Sequence, residues 1–322
     1  MKRHPFIYSI LVSVACAGLA APALAADTYP SRPIKVIVPY AAGGVVDVQT
    51  RAVTESMAQL LKQPIVVEPR PGASGSIAAE AVARAEPDGY TLIVSASFLI
   101  TQPLLESNLR WTPKQFTPVG RFALSPSYFV VPKNSPAKTM KEFAEYARKA
   151  NPPLQYANGG DGAPQTMAAE LFRVAAGIKL EPVMYKGAPP SVPDLIQGLV
   201  AISVLPSTVG GPQITSGNLR GLANASDRRS TQFPDIPTIG EAGFPAATVN
   251  SWYGLHAPAG TPPEVIQRLS EAMKAATALP EVKARLESAG GEAAYMGTSE
   301  FTRFMGENAK QWADAVKLIK AK

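Results

Sequence analysis

Short runs of β-branched and aliphatic residues alternate with amphipathic stretches along most of the chain. Ile34 to Val38 is the first run, stopped by Pro39, and residues 47–61 then carry apolar side chains at helical spacing. Ile65, Val66 and Val67 form a second run. It leads through the turn Pro71-Gly72-Ala73-Ser74-Gly75 into an alanine-rich helix ending near Ala85. A third run, Thr91 to Val94, is announced by Pro87-Asp88-Gly89. Strand and helix in alternation imply parallel sheets with helices on their faces. Sites in such sheets lie at the carboxyl ends of the strands.

The pattern then repeats. Tyr128 to Val131 reads as a strand crossing between two domains. Thr139-Met140-Lys141-Glu142 has the spacing of a capping box and predicts a helix to about Lys149. Residues 154–157, 180–184, 201–204 and 219–223 are short strands, with helices over 165–176 and 192–198 between them. Residues 235–258 are loop-rich, and the return crossing is expected there. Thr261-Pro262-Pro263-Glu264 predicts a capped helix start, running to about Ala278. A terminal helix over 300–320 places Phe301, Phe304, Met305, Ala309, Trp312 and Val316 on one face.

Composition narrows the class. At 322 residues, the chain is long enough for two ordinary domains. Hydrophobic residues at 46% and charged residues at 17% exclude wholesale disorder. The first residues read as a targeting segment: Lys2 and Arg3, an apolar stretch over 7–19, then Ala23-Leu24-Ala25 for cleavage, so that residues 1–25 are expected to be a signal peptide. The apolar stretch is shorter than the ~20 residues a membrane-spanning helix needs. Cys16 is a poor lipid-anchor site, because Ser13 stands where a large aliphatic residue is required. Without Lys2 and Arg3, 29 of the 31 basic residues remain against 25 acidic ones, and His256 is the one histidine left. These cations are dispersed, which argues against nucleic acid.

Two glycine turns carry the candidate chemistry. The first is Pro39-Tyr40-Ala41-Ala42-Gly43-Gly44-Val45-Val46-Asp47, small residues between a strand and a helix. Such a turn presents backbone N–H groups, and the helix dipole favours an anion there. It lacks a Walker lysine and is not GxGxxG. The bland reading is a tight turn with Asp47 as the helix-start carboxylate, and the sequence leaves both open. The second is Asn158-Gly159-Gly160-Asp161-Gly162-Ala163-Pro164; one carboxylate is too few for calcium. No Gly-x-Ser-x-Gly elbow accompanies His256, and no His, Cys and carboxylate set has metal spacing. No catalytic residue, metal or cofactor is therefore assigned.

Several stretches, in order over nearly the whole chain after residue 25, resemble the receptors of tripartite tricarboxylate transporters, the TctC or Bug family. They include Tyr29-Pro30-Ser31-Arg32-Pro33-Ile34, the Pro39 to Asp47 turn, Val67-Glu68-Pro69-Arg70-Pro71-Gly72-Ala73 and Pro87-Asp88-Gly89-Tyr90-Thr91-Leu92. Tyr185-Lys186-Gly187, Pro234-Asp235-Ile236-Pro237-Thr238, Ser251-Trp252-Tyr253-Gly254-Leu255 and Ala257-Pro258-Ala259-Gly260-Thr261-Pro262 complete the set. The resemblance implies an α/β, periplasmic-binding-protein-like (type II) fold. Two α/β domains, residues 26–125 with 249–322 and residues 126–248, would be joined by two crossing strands around a ligand cleft. It implies a monomeric, exported periplasmic receptor that hands a small organic acid to membrane transporter subunits, hinging shut on its ligand.

On that reading Tyr40, Ala42, Gly43 and Asp47 form one wall, continued by Ser95, Ser97 and Phe98. Gly160, Asp161, Gly162, Gln165 and Thr166 face them, with Gly187, Ala188 and Leu205 closing the cleft. The chain also departs from the family. Phe98 and Leu99 stand near a frequent Thr and His, Ala163-Pro164-Gln165-Thr166 replaces Ser-Ser-Pro-His, Ala188 replaces Ser, and Leu205 falls where several members hold an Asp for an amino group. A buried ammonium without a partner is costly, so an amino-acid ligand is disfavoured. An apolar or aromatic carboxylate is expected, unless these side chains point into the core. A hydrolase using His256 and a ligand-presenting sensor are the rival readings.

Overall fold

The computed structural model describes residues 29–160 and 163–320, with side chains to 317. The expected signal peptide lies outside the described residues. In chain order the elements are β1 (Ile34–Val38), α1 (Val45–Leu61), β2 (Ile65–Pro69), α2 (Ser76–Ala83), β3 (Thr91–Ser95), α3 (Phe98–Leu105) and β4 (Phe116–Leu124). Then come β5 (Ser127–Pro132), α4 (Met140–Lys149), β6 (Leu154–Asn158), α5 (Pro164–Ala176), β7 (Leu180–Met184), α6 (Val192–Gln197), β8 (Ile202–Pro206), α7 (Ser207–Thr215) and β9 (Leu219–Asn224). The chain ends with β10 (Trp252–Pro258), α8 (Pro263–Ala278), α9 (Pro280–Ser288), β11 (Glu292–Met296) and α10 (Thr298–Lys320).

These strands make two sheets, ordered β11-β4-β10-β3-β1-β2 and β7-β6-β8-β5-β9. β1 lies parallel to both β2 and β3. Its Ile34, Val36, Ile37 and Val38 are all buried, as a strand covered on both faces requires. β4 and β10 run antiparallel beside this parallel set, and β5 does the same between β8 and β9. The chain passes between sheets at Ser125 and Pro126 and returns through residues 225–251. β5 is thus an inner strand of the second sheet, and the crossing itself lies just before it.

Local chemistry explains most element ends. α4 starts at Thr139, whose hydroxyl accepts the Glu142 N–H at 3.1 Å, while the Glu142 carboxylate accepts from Lys138 N–H at 2.7 Å. α8 starts as predicted, but not through a Thr261 cap. The Thr261 hydroxyl donates to the Pro258 carbonyl at 2.8 Å, and Pro262 leads into the helix in an extended conformation. Gly254 and Gly120 bring β10, β4 and α10 together. A Cβ on Gly254 would sit 2.7 Å from the Gly120 carbonyl oxygen and from the Phe301 ring.

α10 has the predicted apolar face. Phe301 and Trp312 are buried and Phe304, Met305, Ala309 and Val316 pack beside them. Each such large side chain contributes ~1.5–3 kcal/mol when fully buried. The face serves both sheets. Phe301 packs edge-on to Trp252 and to His256 of β10, whereas Trp312 and Ala315 lie against Met167 and Leu171 of α5.

Candidate functional site

The first glycine turn sits at the carboxyl end of β1. Gly43 adopts φ +72°, which glycine tolerates without a Cβ penalty, and Gly44 N–H closes the turn on the Ala41 carbonyl at 3.2 Å. Asp47, 3% exposed, reaches back from the first turn of α1 and accepts the Gly43 N–H at 3.0 Å. Arg51, one helical turn on, donates to both Asp47 oxygens at 3.1 Å. Burial pulls the Asp47 carboxyl up, but these bonds and the Arg51 charge outweigh it, leaving it below the usual carboxylate range. The Gly43 N–H is therefore already bonded to a side chain of the protein. What remains to meet an anion is the exposed turn at Ala41 and Ala42, with the positive end of the α1 dipole behind it.

Tyr40 is half-buried beside this turn, its ring edge-on to Phe98 with centroids 6.4 Å apart. Burial raises the Tyr40 phenol well above its ordinary value, with the Tyr253 phenol adding to the effect. Tyr253 is raised in the same way, its bond to the Ser125 side chain working in the other direction. Phe98 itself is 5% exposed and stacks edge-on to Trp111. Leu99 belongs to the same cluster. The Ser97 carbonyl accepts from Ile100 and Thr101 N–H at 2.8 Å and starts α3.

Ser95 is placed differently from the others. It is fully buried in β3, and its hydroxyl lies 2.8 Å from Nδ1 of His256, which is 2% exposed. Burial holds the imidazole neutral, pulled down to about 3. Serine and histidine thus meet as in a nucleophile and base pair, but inside the first sheet's core.

On the second sheet, Asn158 organises the turn after β6. Its side-chain oxygen accepts the Gly160 N–H at 2.9 Å, and the Thr166 hydroxyl lies 2.8 Å from both that oxygen and the Gly160 carbonyl. Gln165 donates to the Ser127 hydroxyl at 2.9 Å. The turn after β7 closes on this one: a Cβ on Gly159 would lie 3.3 Å from the Gly187 carbonyl carbon and 3.4 Å from the Ala188 nitrogen. Asp161 and Gly162 lie outside the described residues. Leu205 is fully buried with Tyr128, Val130 and Leu195, because its strand is an inner one and α7 covers it.

The structure thus brings Tyr40, Ala42, Gly43, Asp47 and Phe98 together on one sheet and Gly160, Gln165, Thr166, Gly187 and Ala188 on the other. Ser95 and Leu205 lie in the cores. Sequence reasoning missed Arg51 and Ser127, and it named Asn158 only as the first residue of the second glycine turn, although an Asn at a strand end before Gly-Gly is a turn signal. Among the described residues no three His, Cys, Asp or Glu side chains converge as a metal site, and no helix is long and apolar enough to cross a membrane.

Two α/β sheets, linked by a crossing and a return, with polar glycine turns at the strand ends of each, define a solute-binding protein of the periplasmic-binding-protein-like fold. The chain belongs to the tripartite tricarboxylate transporter family receptors, TctC, whose pattern it matches over residues 49–321. Protein BugT of Bordetella pertussis is 33% identical over 328 residues, covering 100% of this chain and 99% of BugT. MatC from Rhodopseudomonas palustris, solved with bound malate, is 31% identical with a TM-score of 0.72, covering 89% of this chain and 100% of that one. A second R. palustris protein, solved with adipate, is 29% identical with a TM-score of 0.76, covering 90% and 98%.

Proposed function

We propose that this receptor captures a small organic acid in the periplasm and delivers it, unaltered, to the membrane subunits of a tripartite tricarboxylate transporter. The observation that carries this reading is the β1–α1 turn. Asp47 and Arg51 fix its shape from within by holding the Gly43 N–H, so that the exposed backbone at Ala41 and Ala42 and a helix N-terminus whose N-cap residue, Gly44, makes no side-chain cap are presented together. Malate and adipate in the two R. palustris structures are carboxylates of the matching chemistry. Residues 26–125 with 249–322 form one domain and residues 126–248 the other. The cleft between them is walled by Tyr40, Ala42, Gly43, Ser97 and Phe98 on one side. Gly160, Gln165, Thr166, Gly187 and Ala188 line the other side. With Phe98, Leu99 and Leu205 all buried, the case for an apolar ligand skeleton rests on Tyr40. The receptor acts as a monomer. The Ser95–His256 pair is closed to solvent, which speaks against a hydrolase built on it.

A thermal-shift screen of the chain from Ala26 onward tests this. The panel holds aliphatic dicarboxylates, aromatic acids and amino acids. A ligand at about 100 times its Kd stabilises the fold by ~2.7 kcal/mol. A hit among the carboxylic acids supports the reading, and one among the aromatic acids supports Tyr40 as an apolar wall. Stabilisation by amino acids alone, or by nothing in the panel, overturns it.

A further inference from the structure

The turns after β1 and β6 are held by one device in two chemistries. In each, a buried side chain accepts the N–H of a glycine in the turn. After β6 the acceptor is the neutral Asn158, whose side-chain oxygen takes the Gly160 N–H at 2.9 Å. After β1 it is Asp47, which takes the Gly43 N–H at 3.0 Å. The first turn thus has a full negative charge one hydrogen bond behind the backbone it offers to a ligand. Burial raises the Asp47 carboxyl, but its bonds to Arg51 and Gly43 outweigh that, so the charge is present at neutral pH.

An anion arriving at Ala41 and Ala42 would be repelled by that charge were it bare, and Arg51 covers it. Its Nε and one Nη donate to different Asp47 oxygens, each at 3.1 Å, the fork geometry in which a guanidinium serves both oxygens of a carboxylate. The same Nη donates to the Val67 carbonyl of β2 at 3.2 Å, which fixes the guanidinium in place. Among the described residues no other cation lies within ion-pair distance of Asp47. Stability is a weak reason for the pair, because the Arg51 side chain is 41% exposed and pairs this exposed add little.

We infer that Arg51 is a specificity-determining residue: it cancels the Asp47 charge, and that cancellation lets the β1–α1 turn accept an anion. Without Arg51, the positive end of the α1 dipole and the Asp47 carboxylate would oppose each other at one turn. Its guanidinium is already bonded to Asp47 and Val67. Arg51 therefore acts through the turn and not as a ligand contact. The Asn158 turn needs no such partner for its acceptor, because an amide carries no charge to cancel. This inference rests on the proposed carboxylate ligand and adds the residue that sets which charge the turn admits.

The test is calorimetric titration of wild type, R51Q, D47N and D47N/R51Q, each as the whole chain from Ala26, with malate, adipate and benzoate. Two like charges about 10 Å apart across a partly buried site weaken binding about tenfold. R51Q leaves Asp47 uncancelled and is expected to bind the acids about tenfold more weakly, with the deficit shrinking in ~0.5 M salt. D47N/R51Q carries neither charge but keeps an acceptor for the Gly43 N–H, and is expected to recover most of the lost affinity. D47N leaves the Arg51 charge uncancelled and is expected to bind more tightly than wild type; it carries the comparison should R51Q fail to fold. Damage to the turn is not repaired by a second substitution, so recovery in the double variant separates charge cancellation from packing. R51Q as tight as wild type, a double variant as weak as R51Q, or D47N no tighter than wild type overturns the inference and leaves the carboxylate reading standing. Wild type binding none of the three acids overturns both.

Discussion

Replacing Asp47 by alanine removes three bonds at once and leaves the Gly43 N–H without its acceptor. A hydrogen bond from an amide to a charged group contributes about 1.5–3 kcal/mol. A carboxylate in the first turn of a helix adds about 0.3–1 kcal/mol through the dipole. The Arg51 side chain is 41% exposed, so its share is that of a surface pair, at most ~1 kcal/mol. These contributions overlap, and the lost Gly43 bond is partly replaced by water at an exposed turn. The expected cost of D47A is about 2 kcal/mol, or ~3 °C in Tm for a chain of this size. D47N keeps an acceptor for Gly43 and is expected to lose about half as much. The pH dependence supplies a second check. The folded carboxyl lies below its unfolded value of about 3.9, so its stabilisation is present above that value and is lost as pH falls through the folded one. The gap between wild type and D47A is expected to narrow below about pH 4. Thermal melts of the three proteins at neutral and acid pH measure all of this. A D47A melt within ~1 °C of wild type at neutral pH refutes the reasoning, because it means the Asp47 bonds do not hold the turn.

His256 gives a pH signature of opposite origin. Burial leaves the folded imidazole neutral down to about pH 3, while the unfolded chain takes up a proton near 6.5. Stability is therefore full above that value and declines by ~1.4 kcal/mol per pH unit as pH falls toward the folded one. H256Q is expected to flatten the slope in urea melts between about pH 7 and 4 without changing ligand affinity; an equally steep slope would show that other groups carry it. Alanine at Gly254 must push apart β4 and the Phe301 ring, at a cost of about 1–3 kcal/mol. Denaturant midpoints of G254A check this, and a stability equal to wild type's would show that α10 shifts freely.

The βα alternation was legible because Ile34 to Val38 and Thr91 to Val94 are uninterrupted runs closed by turn residues. β4 was not, since Pro118 and Gly120 break its pattern; both are tolerated there because the strand is bent by register shifts against β10. α3 and α7 were hidden by Pro103 and by Gly210-Gly211-Pro212 inside them, where packing overrides propensity. At the candidate site, the sequence marked the glycine turns by composition. It did not reveal direction. Leu205 reads as a strand-end residue open to a cleft, and only the sheet order shows it under α7. Likewise Ser95 and His256 lie 161 positions apart, and nothing in either motif announces that their side chains meet.

The terminal helix has a consequence for how the molecule is completed. Both sheets are fully specified by residue 296, where β11 ends. The 23 residues of α10 then lay Phe301 on the first sheet's strands and Trp312 on the second half's α5. A chain that lacks them has two lobes whose facing apolar surfaces are both left wet. α10 is thus a splint across two halves whose sheets are complete without it. A truncation there is expected to strip protection from β10 and α5 together, two places far apart in the chain that amide exchange reads separately.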